Sequence, residues 1–170
     1  MIKKAGFGGG CHWCTEAVFS ALKGVVTVEQ GWIASVNANA DLSEGVIVTY
    51  NTAEITLDVL IAIHLHTHSS TANHSMRGKY RSAVYTFNEV DMLPAQQAIA
   101  NLQQDFENTI ITKVLPFFDF KLNREDSLNY YFNEPGKPFC ENYINPKLKL
   151  LLQKFSDVTR TDRLEHLVKS

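Results

Sequence analysis

What this 170-residue chain lacks narrows it before any motif is considered. It has no apolar run near the roughly 18–20 residues that cross a bilayer, so no membrane span is expected. It has no excess of one charge. With 16 Lys and Arg against 18 Asp and Glu, its formal net charge of −2 gives no electrostatic case for nucleic acid or an anionic membrane. It has no signal-peptide h-region, because Met1-Ile2-Lys3-Lys4-Ala5 turns into glycines too soon, and a cytoplasmic location is the default expectation. Its three cysteines, Cys11, Cys14 and Cys140, are an odd number and too few for a disulfide scaffold. Reactive thiols or buried structural ones remain. Repeats, low-complexity tracts and clear linkers are also missing, which implies a single domain over residues 1–155, with 156–170 an extension that ends in a peripheral helix.

What is present fits an ordinary globular protein. The chain is 45% hydrophobic and 20% charged, and its length buries a substantial core without metal or disulfide staples. Residues 2–7, 25–33, 44–50, 81–87 and 110–120 read as strands. Residues 11–22, 55–64 and 90–107 read as helices, as do 124–132, 146–155 and 162–168. The irregular alternation predicts a mixed α/β or α+β sandwich with long functional loops, including the polar stretch 66–75.

The run Gly8-Gly9-Gly10-Cys11-His12-Trp13-Cys14-Thr15-Glu16 carries the strongest chemical signal. A glycine turn delivers Cys11 to the start of a helix, where unpaired N–H groups and the helix dipole favour an anion. The thiolate is the nucleophilic form of cysteine, so this position suits an activated thiol. Cys11 and Cys14 form a C-x-x-C pair with three readings: a redox pair, half of a zinc site, or a nucleophile with a bystander. Zinc needs about four ligands. With no second C-x-x-C, only His64, His66, His68 and His74 are on hand to complete such a site. Tyr80-Arg81-Ser82-Ala83-Val84-Tyr85 brings a hydroxyl donor at the entry to a strand, and Pro138-Phe139-Cys140 places a thiol on a loop free to swing towards another site.

Together these pieces resemble the A-type peptide-methionine sulfoxide reductases. The matching residues are Gly9-Gly10-Cys11 with Trp13 and Glu16, Gly24-Val25 leading to Gly31-Trp32, and Tyr80-Arg81-Ser82-Ala83-Val84-Tyr85. They continue with Pro138-Phe139-Cys140 and Ile144-Asn145-Pro146-Lys147-Leu148, in the family's order, over roughly residues 4 to 155. The resemblance implies a two-layer sandwich with a ferredoxin-like mixed sheet and flanking helices. It implies that Cys11 attacks the sulfur of methionine S-sulfoxide, free or in proteins, while an acid protonates the oxygen. Methionine leaves, and a resolving thiol condenses with the resulting sulfenic acid. Thioredoxin or another dithiol reductant then restores the enzyme. No metal or organic cofactor is implied.

Departures from the family pattern define the open questions. His12 replaces the usual phenylalanine beside the nucleophile, Trp32 stands where a tyrosine is usual, and Ser75 replaces an aspartate. The loop 34–43 is short, and Asp41 is its one acidic residue. His12 and Glu44 are therefore the candidate proton donors, with Glu16 and His74 as competitors. His12, Trp13, Trp32 and Tyr80 are the candidate substrate contacts. Cys140 is the favoured resolving thiol and Cys14 the alternative. A non-reductase or altered-specificity thiol protein on the same fold is the rival expectation, followed by a zinc-stabilised interaction domain.

Overall fold

The computed structural model describes residues 1–168. β-Branched and small residues build the strands: β1 (Ile2–Gly8), β2 (Val25–Ala34), β3 (Ser43–Asn51) and β4 (Ala83–Thr86). Two shorter strands follow, β5 (Lys113–Pro116) and β6 (Asp119–Leu122). They form one mixed sheet in the order β5-β4-β1-β3-β2-β6. Only β4 and β5 run parallel; the other pairings are antiparallel. The helices are α1 (His12–Ser20), α2 (Leu57–Thr67), α3 (Met92–Leu102), α4 (Tyr130–Asn133), α5 (Asn145–Lys154) and α6 (Glu165–Val168). The mixed sheet with flanking helices is the α+β arrangement expected.

The segment 110–120, expected as one strand, is two strands on opposite edges of the sheet. Phe117 N–H donates to Thr86 O beside β4, and Phe118 N–H donates to Ala34 O on β2. Two consecutive residues can reach both edges only because the sheet curls until those edges meet. Ser35 Oγ closes the seam by donating to Pro116 O at 2.6 Å. The inside of the curl holds a small second core of Ile33, Ile47, Ala83 and Tyr85 with Phe87, Leu115, Phe117 and Phe120 against it. Gly6 and Gly45 make room for it, since a Cβ on either would lie 2.6 Å from Ile33. Each absence of a side chain on the inner face is thus filled by a neighbour's ring or methyl group.

The main core lies on the outer face, between the sheet and the helices. Phe7 of β1 stacks on Phe19 of α1 with ring centroids 4.5 Å apart. Most of α1 is buried, because it packs on β2 and β3 on one side and against α4 and α5 on the other. Thr56 caps α2 by accepting from Val59 N–H.

The structure departs from the sequence expectation in three helical regions. The third helix ends at Leu102 rather than 107, because Gln103 folds the chain back: its Oε1 accepts from Ile110 N–H and its Nε2 donates to Asn108 O. The segment 124–132 breaks into the 3-10 turn Glu125–Ser127 and α4, with Asn129 between them at a φ of 52°. Cys140, expected on a loop, instead opens the π-helical turn Cys140–Ile144 that runs straight into α5, and its side chain is fully buried.

Residues 156–168 are joined to the C-terminal end of α1, and 169–170 fall outside the described residues. Leu22 and Thr159 form a β-bridge, and Arg163 donates to Ser20 O at the end of α1. Leu164 is fully buried and Leu167 nearly so. Burying a leucine contributes on the order of 2 kcal/mol, so this segment is fastened to the helix that carries the thiols.

Candidate active site

The site begins where β1 runs out. Gly9 has a φ of 146°, a conformation that side-chain-bearing residues rarely adopt, and a Cβ there would lie 2.5 Å from the His68 ring. His64 holds the Gly8 carbonyl through Nε2 at 2.8 Å, and Arg77 holds the Gly9 carbonyl through Nη1 at 2.9 Å. These two grips fix the turn that presents Cys11 as the N-cap of α1.

Cys11 is partly buried, and its thiol is held below the usual value. The largest cause is a hydrogen bond from the Cys14 thiol. The amides of Trp13 and Cys14 lie close enough to favour the charge, although neither closes a capping bond to the sulfur. Burial and the Glu44 carboxylate act the other way. The donors win, so Cys11 is the more acidic thiol of the pair. Cys14 pays no such charge: its proton is committed to Cys11, and burial adds to the upward push on its thiol.

His12 and Glu44 meet beside Cys11. Glu44, the second residue of β3, pairs opposite Trp32 and is 6% exposed. Its Oε1 accepts from the His12 main-chain N–H at 3.1 Å, and His12 Nε2 lies 3.6 Å from that oxygen. Its Oε2 lies 3.5 Å from Lys79 Nζ. The His12 ring is fixed from behind, with Nδ1 2.9 Å from the Gly31 carbonyl. A carbonyl only accepts, so Nδ1 carries the hydrogen and Nε2 of the neutral ring is an acceptor. Asn123 Nδ2 addresses that acceptor at 3.4 Å.

Aromatic rings form the walls. The edge of Trp32 meets His12 with centroids 5.2 Å apart. Trp13 stacks flat on Tyr130 at 4.0 Å and meets Phe139 edge-on at 5.5 Å. Tyr80 joins from the neighbouring loop, where Lys79 Nζ sits 5.1 Å over its ring while also facing Glu44. Ser43 Oγ bonds Lys79 O and Arg81 N–H, strapping that loop to the start of β3.

The structure therefore brings together Cys11, His12, Trp13, Cys14, Trp32, Glu44 and, through Lys79, Tyr80. Cys140 sits apart from this group, its thiol directed at Glu134 O over 3.6 Å and pushed up by burial, though near enough for its charge to be felt at Cys14. Glu16 is a structural anchor: its oxygens accept from Gln30 Nε2 and from the amides of Asn129 and Tyr130. His74 is exposed and caps the 3-10 turn Ser75–Gly78 through Met76 N–H. Among the described residues, no group of three or more His, Cys, Asp or Glu is arranged to hold a metal ion.

Sequence reasoning missed the supports of this site. Gln30 is fully buried and links Glu16 to Asn123, whose Nδ2 donates to Gln30 Oε1 at 2.6 Å and also faces His12. A glutamine on a β-branched strand gives no chemical signal by itself. Tyr130, which stacks on Trp13, is equally silent, and Phe139 is visible only as part of the Pro138-Phe139-Cys140 block.

With this geometry in place, the comparisons converge. The family model described as peptide methionine sulfoxide reductase matches residues 3–159. A peptide methionine sulfoxide reductase MsrA from Deinococcus radiodurans is 32% identical over 93% of this chain and 84% of its own length. The crystal structure of Mxr1 from Saccharomyces cerevisiae in reduced form is 21% identical with a TM-score of 0.73, covering 82% of this chain and 89% of that one. Mxr1 in complex with Trx2 superposes with a TM-score of 0.62 at 22% identity, over 73% of this chain and 82% of that one.

Proposed function

This chain belongs to the peptide methionine sulfoxide reductase family, and on that premise we propose that it reduces methionine S-sulfoxide, free or in proteins, with Cys11 as nucleophile. The observation that carries the reading is one juxtaposition. A thiol held below its usual value at a helix start lies beside Glu44, a buried carboxylate fixed by the amide next to the nucleophile.

The Cys11 thiolate attacks the sulfoxide sulfur, and Glu44 passes a proton to the oxygen. Methionine leaves and Cys11 becomes a sulfenic acid. A general acid contributes about 10²–10⁴-fold, which makes Glu44 the main amplifier once the nucleophile is in place. His12 positions rather than donates, because its Nδ1 hydrogen is given to Gly31 and its Nε2 faces Asn123. Trp13 and Trp32 wall the substrate's apolar end, and Tyr80 completes the polar side.

The Cys14 thiol, already hydrogen-bonded to Cys11, is placed to close the first disulfide with loss of water. Cys140, favoured from the sequence, is the second thiol in line, since its thiol is engaged with Glu134 O rather than with Cys11. A dithiol reductant of the thioredoxin kind recycles the disulfide, a reading supported by the Mxr1–Trx2 complex. Three free thiols suit a reducing compartment, which supports a cytoplasmic location. No helix is long and apolar enough to cross a membrane among the described residues.

The test is turnover of the two epimers of a blocked methionine sulfoxide with dithiothreitol, in wild type and Cys11→Ser. Wild type is expected to consume the S epimer alone, and Cys11→Ser neither. No S-epimer reduction by wild type overturns the reading.

A further inference from the structure

Beside Cys14 lies a small cavity of about 10 Å³ lined by Gly10, Cys14, Thr15, His64, His68 and Lys147 among others. Lys147 stands in the first turn of α5 and donates from Nζ to Thr67 O, the last residue of α2. That bond pins the ammonium at the carbonyl end of one helix and against the first turn of another. Among the described residues it has no carboxylate partner, whereas Lys3, Lys79 and Lys137 each have one.

The groups that face Lys147 can be named from every element around it. Cys14 of α1 shares the cavity with Lys147, the charge of the N-cap residue Cys11 reaches it, and from α2 and the residue after it come His64 and His68. Arg77 bears on both histidines from the neighbouring loop, and Cys140 bears on Cys14 from the turn ahead of α5. Both histidines are kept neutral by burial, and the Lys147 charge adds to that push. With no carboxylate partner among the described residues, this ammonium meets the thiols of Cys14 and Cys11. Burial pushes Lys147 down, and Cys14 and Cys11 push it back up.

We propose that Lys147 is a positioning cation for the thiol pair, holding the Cys11 thiolate before turnover and drawing out the Cys14 thiolate after it. This rests on Cys14 as the resolving thiol. In the reduced protein the negative charge belongs on Cys11, and Cys14 keeps its proton to serve as donor. Attack on the substrate turns Cys11 into a neutral sulfenic acid. The two effects by which Cys11 keeps Cys14 protonated, hydrogen bonding and like charge, then vanish together. Burial and Cys140 on one side and the Lys147 charge on the other are then left opposed at Cys14. The Cys14 sulfur displaces hydroxide from the Cys11 sulfur, forming the S–S bond. The S–O bond breaks, and the proton from Cys14 leaves with the hydroxide as water. No outside oxidant is needed, because the sulfoxide has already oxidised Cys11. The fixed ammonium thus hands one negative charge from the first thiol to the second in the order that the reaction requires.

The experiment is a single turnover of the full chain with a blocked methionine S-sulfoxide and no reductant. Sulfenic acid is trapped over time with a cyclic dione, and disulfide is counted by mass spectrometry. Lys147→Gln keeps a hydrogen-bond donor but removes the charge, while Lys147→Arg keeps both. In Lys147→Gln the sulfenic acid is expected to outlive that of wild type by about tenfold at neutral pH, with disulfide closure displaced to higher pH by about one unit. Iodoacetamide should also alkylate reduced Cys11 more slowly, and Lys147→Arg should restore both rates. Closure in Lys147→Gln at the wild-type rate and pH profile overturns the proposal, as does recovery of neither rate by arginine in a protein that melts like wild type. Cys14→Ser separates the underlying reading. If that variant closes a Cys11–Cys140 disulfide at the wild-type rate, Cys14 is not the resolving thiol, and Lys147 is judged on Cys11 alkylation alone.

Discussion

The main-chain N–H of His12 donates to Glu44 Oε1 over 3.1 Å, tying the first amide of α1 to a carboxylate on β3. That amide would otherwise be one of the orphan donors at a helix start. The carboxylate is thereby oriented by backbone, so its position beside Cys11 does not depend on which side chain occupies residue 12.

Replacing Glu44 by glutamine should separate two rates. Turnover of the S-sulfoxide should fall by about 10²–10⁴-fold, the usual contribution of a general acid. Alkylation of Cys11 by iodoacetamide at neutral pH should rise, because the Glu44 charge pushes that thiol upward in the wild type. A parallel fall in both rates would mean that Glu44 only anchors the helix.

For His12→Phe the expectation is different. The ring's Nδ1 serves Gly31 and its Nε2 faces Asn123, so removing it should lower kcat/KM by less than about tenfold, below the usual contribution of a general acid, and keep the shape of the pH–rate profile. Loss of one limb of that profile would make His12 the proton donor.

The cysteines make a third case. After one equivalent of sulfoxide without reductant, peptide mapping should find Cys11 bridged to Cys14. The bridge should survive in Cys140→Ser and disappear in Cys14→Ser. A dominant Cys11–Cys140 bridge in wild type would reverse the order.

Much of this was legible in the sequence, and the reasons are specific. Gly9, Gly10 and Cys11 carry the turn and helix start in three residues, because the conformation at Gly9 and the dipole at Cys11 are local properties. The strand at 44–50 showed because it is β-branched and buried on both faces. The curl of the sheet did not show, because nothing at Phe117 or Phe118 announces that their amides bond to opposite edges. The placement of Asn129 at positive φ was equally hidden, since Glu16, 113 positions away, is what holds its amide. Cys140 was misplaced for a related reason: Pro138 and the glycine before it suggested a loop, but the turn that follows is helical and seated in the core.

Stability should depend on pH through His64. Burial lowers it from 6.5 to about 4 in the folded protein. Between those values the unfolded chain binds the proton and the folded one does not, so stability falls as the pH drops through that window. A shift of this size is worth on the order of 3 kcal/mol. Urea midpoints measured from pH 7 down to 4 should show the loss in wild type and a flatter course in His64→Gln. Equal slopes in the two proteins would count against a buried neutral His64.

The flat stack of Trp13 on Tyr130, 5° from parallel, has an optical consequence. Trp13 lies between the two thiols on the first turn of α1, and its ring cannot turn without leaving Tyr130, whose own amide Glu16 holds. Indole emission responds to the oxidation state of nearby sulfur. One of the chain's two tryptophans is thus a clamped fluorophore between the thiols proposed to react, and its emission is expected to shift between the reduced and oxidised protein without any label.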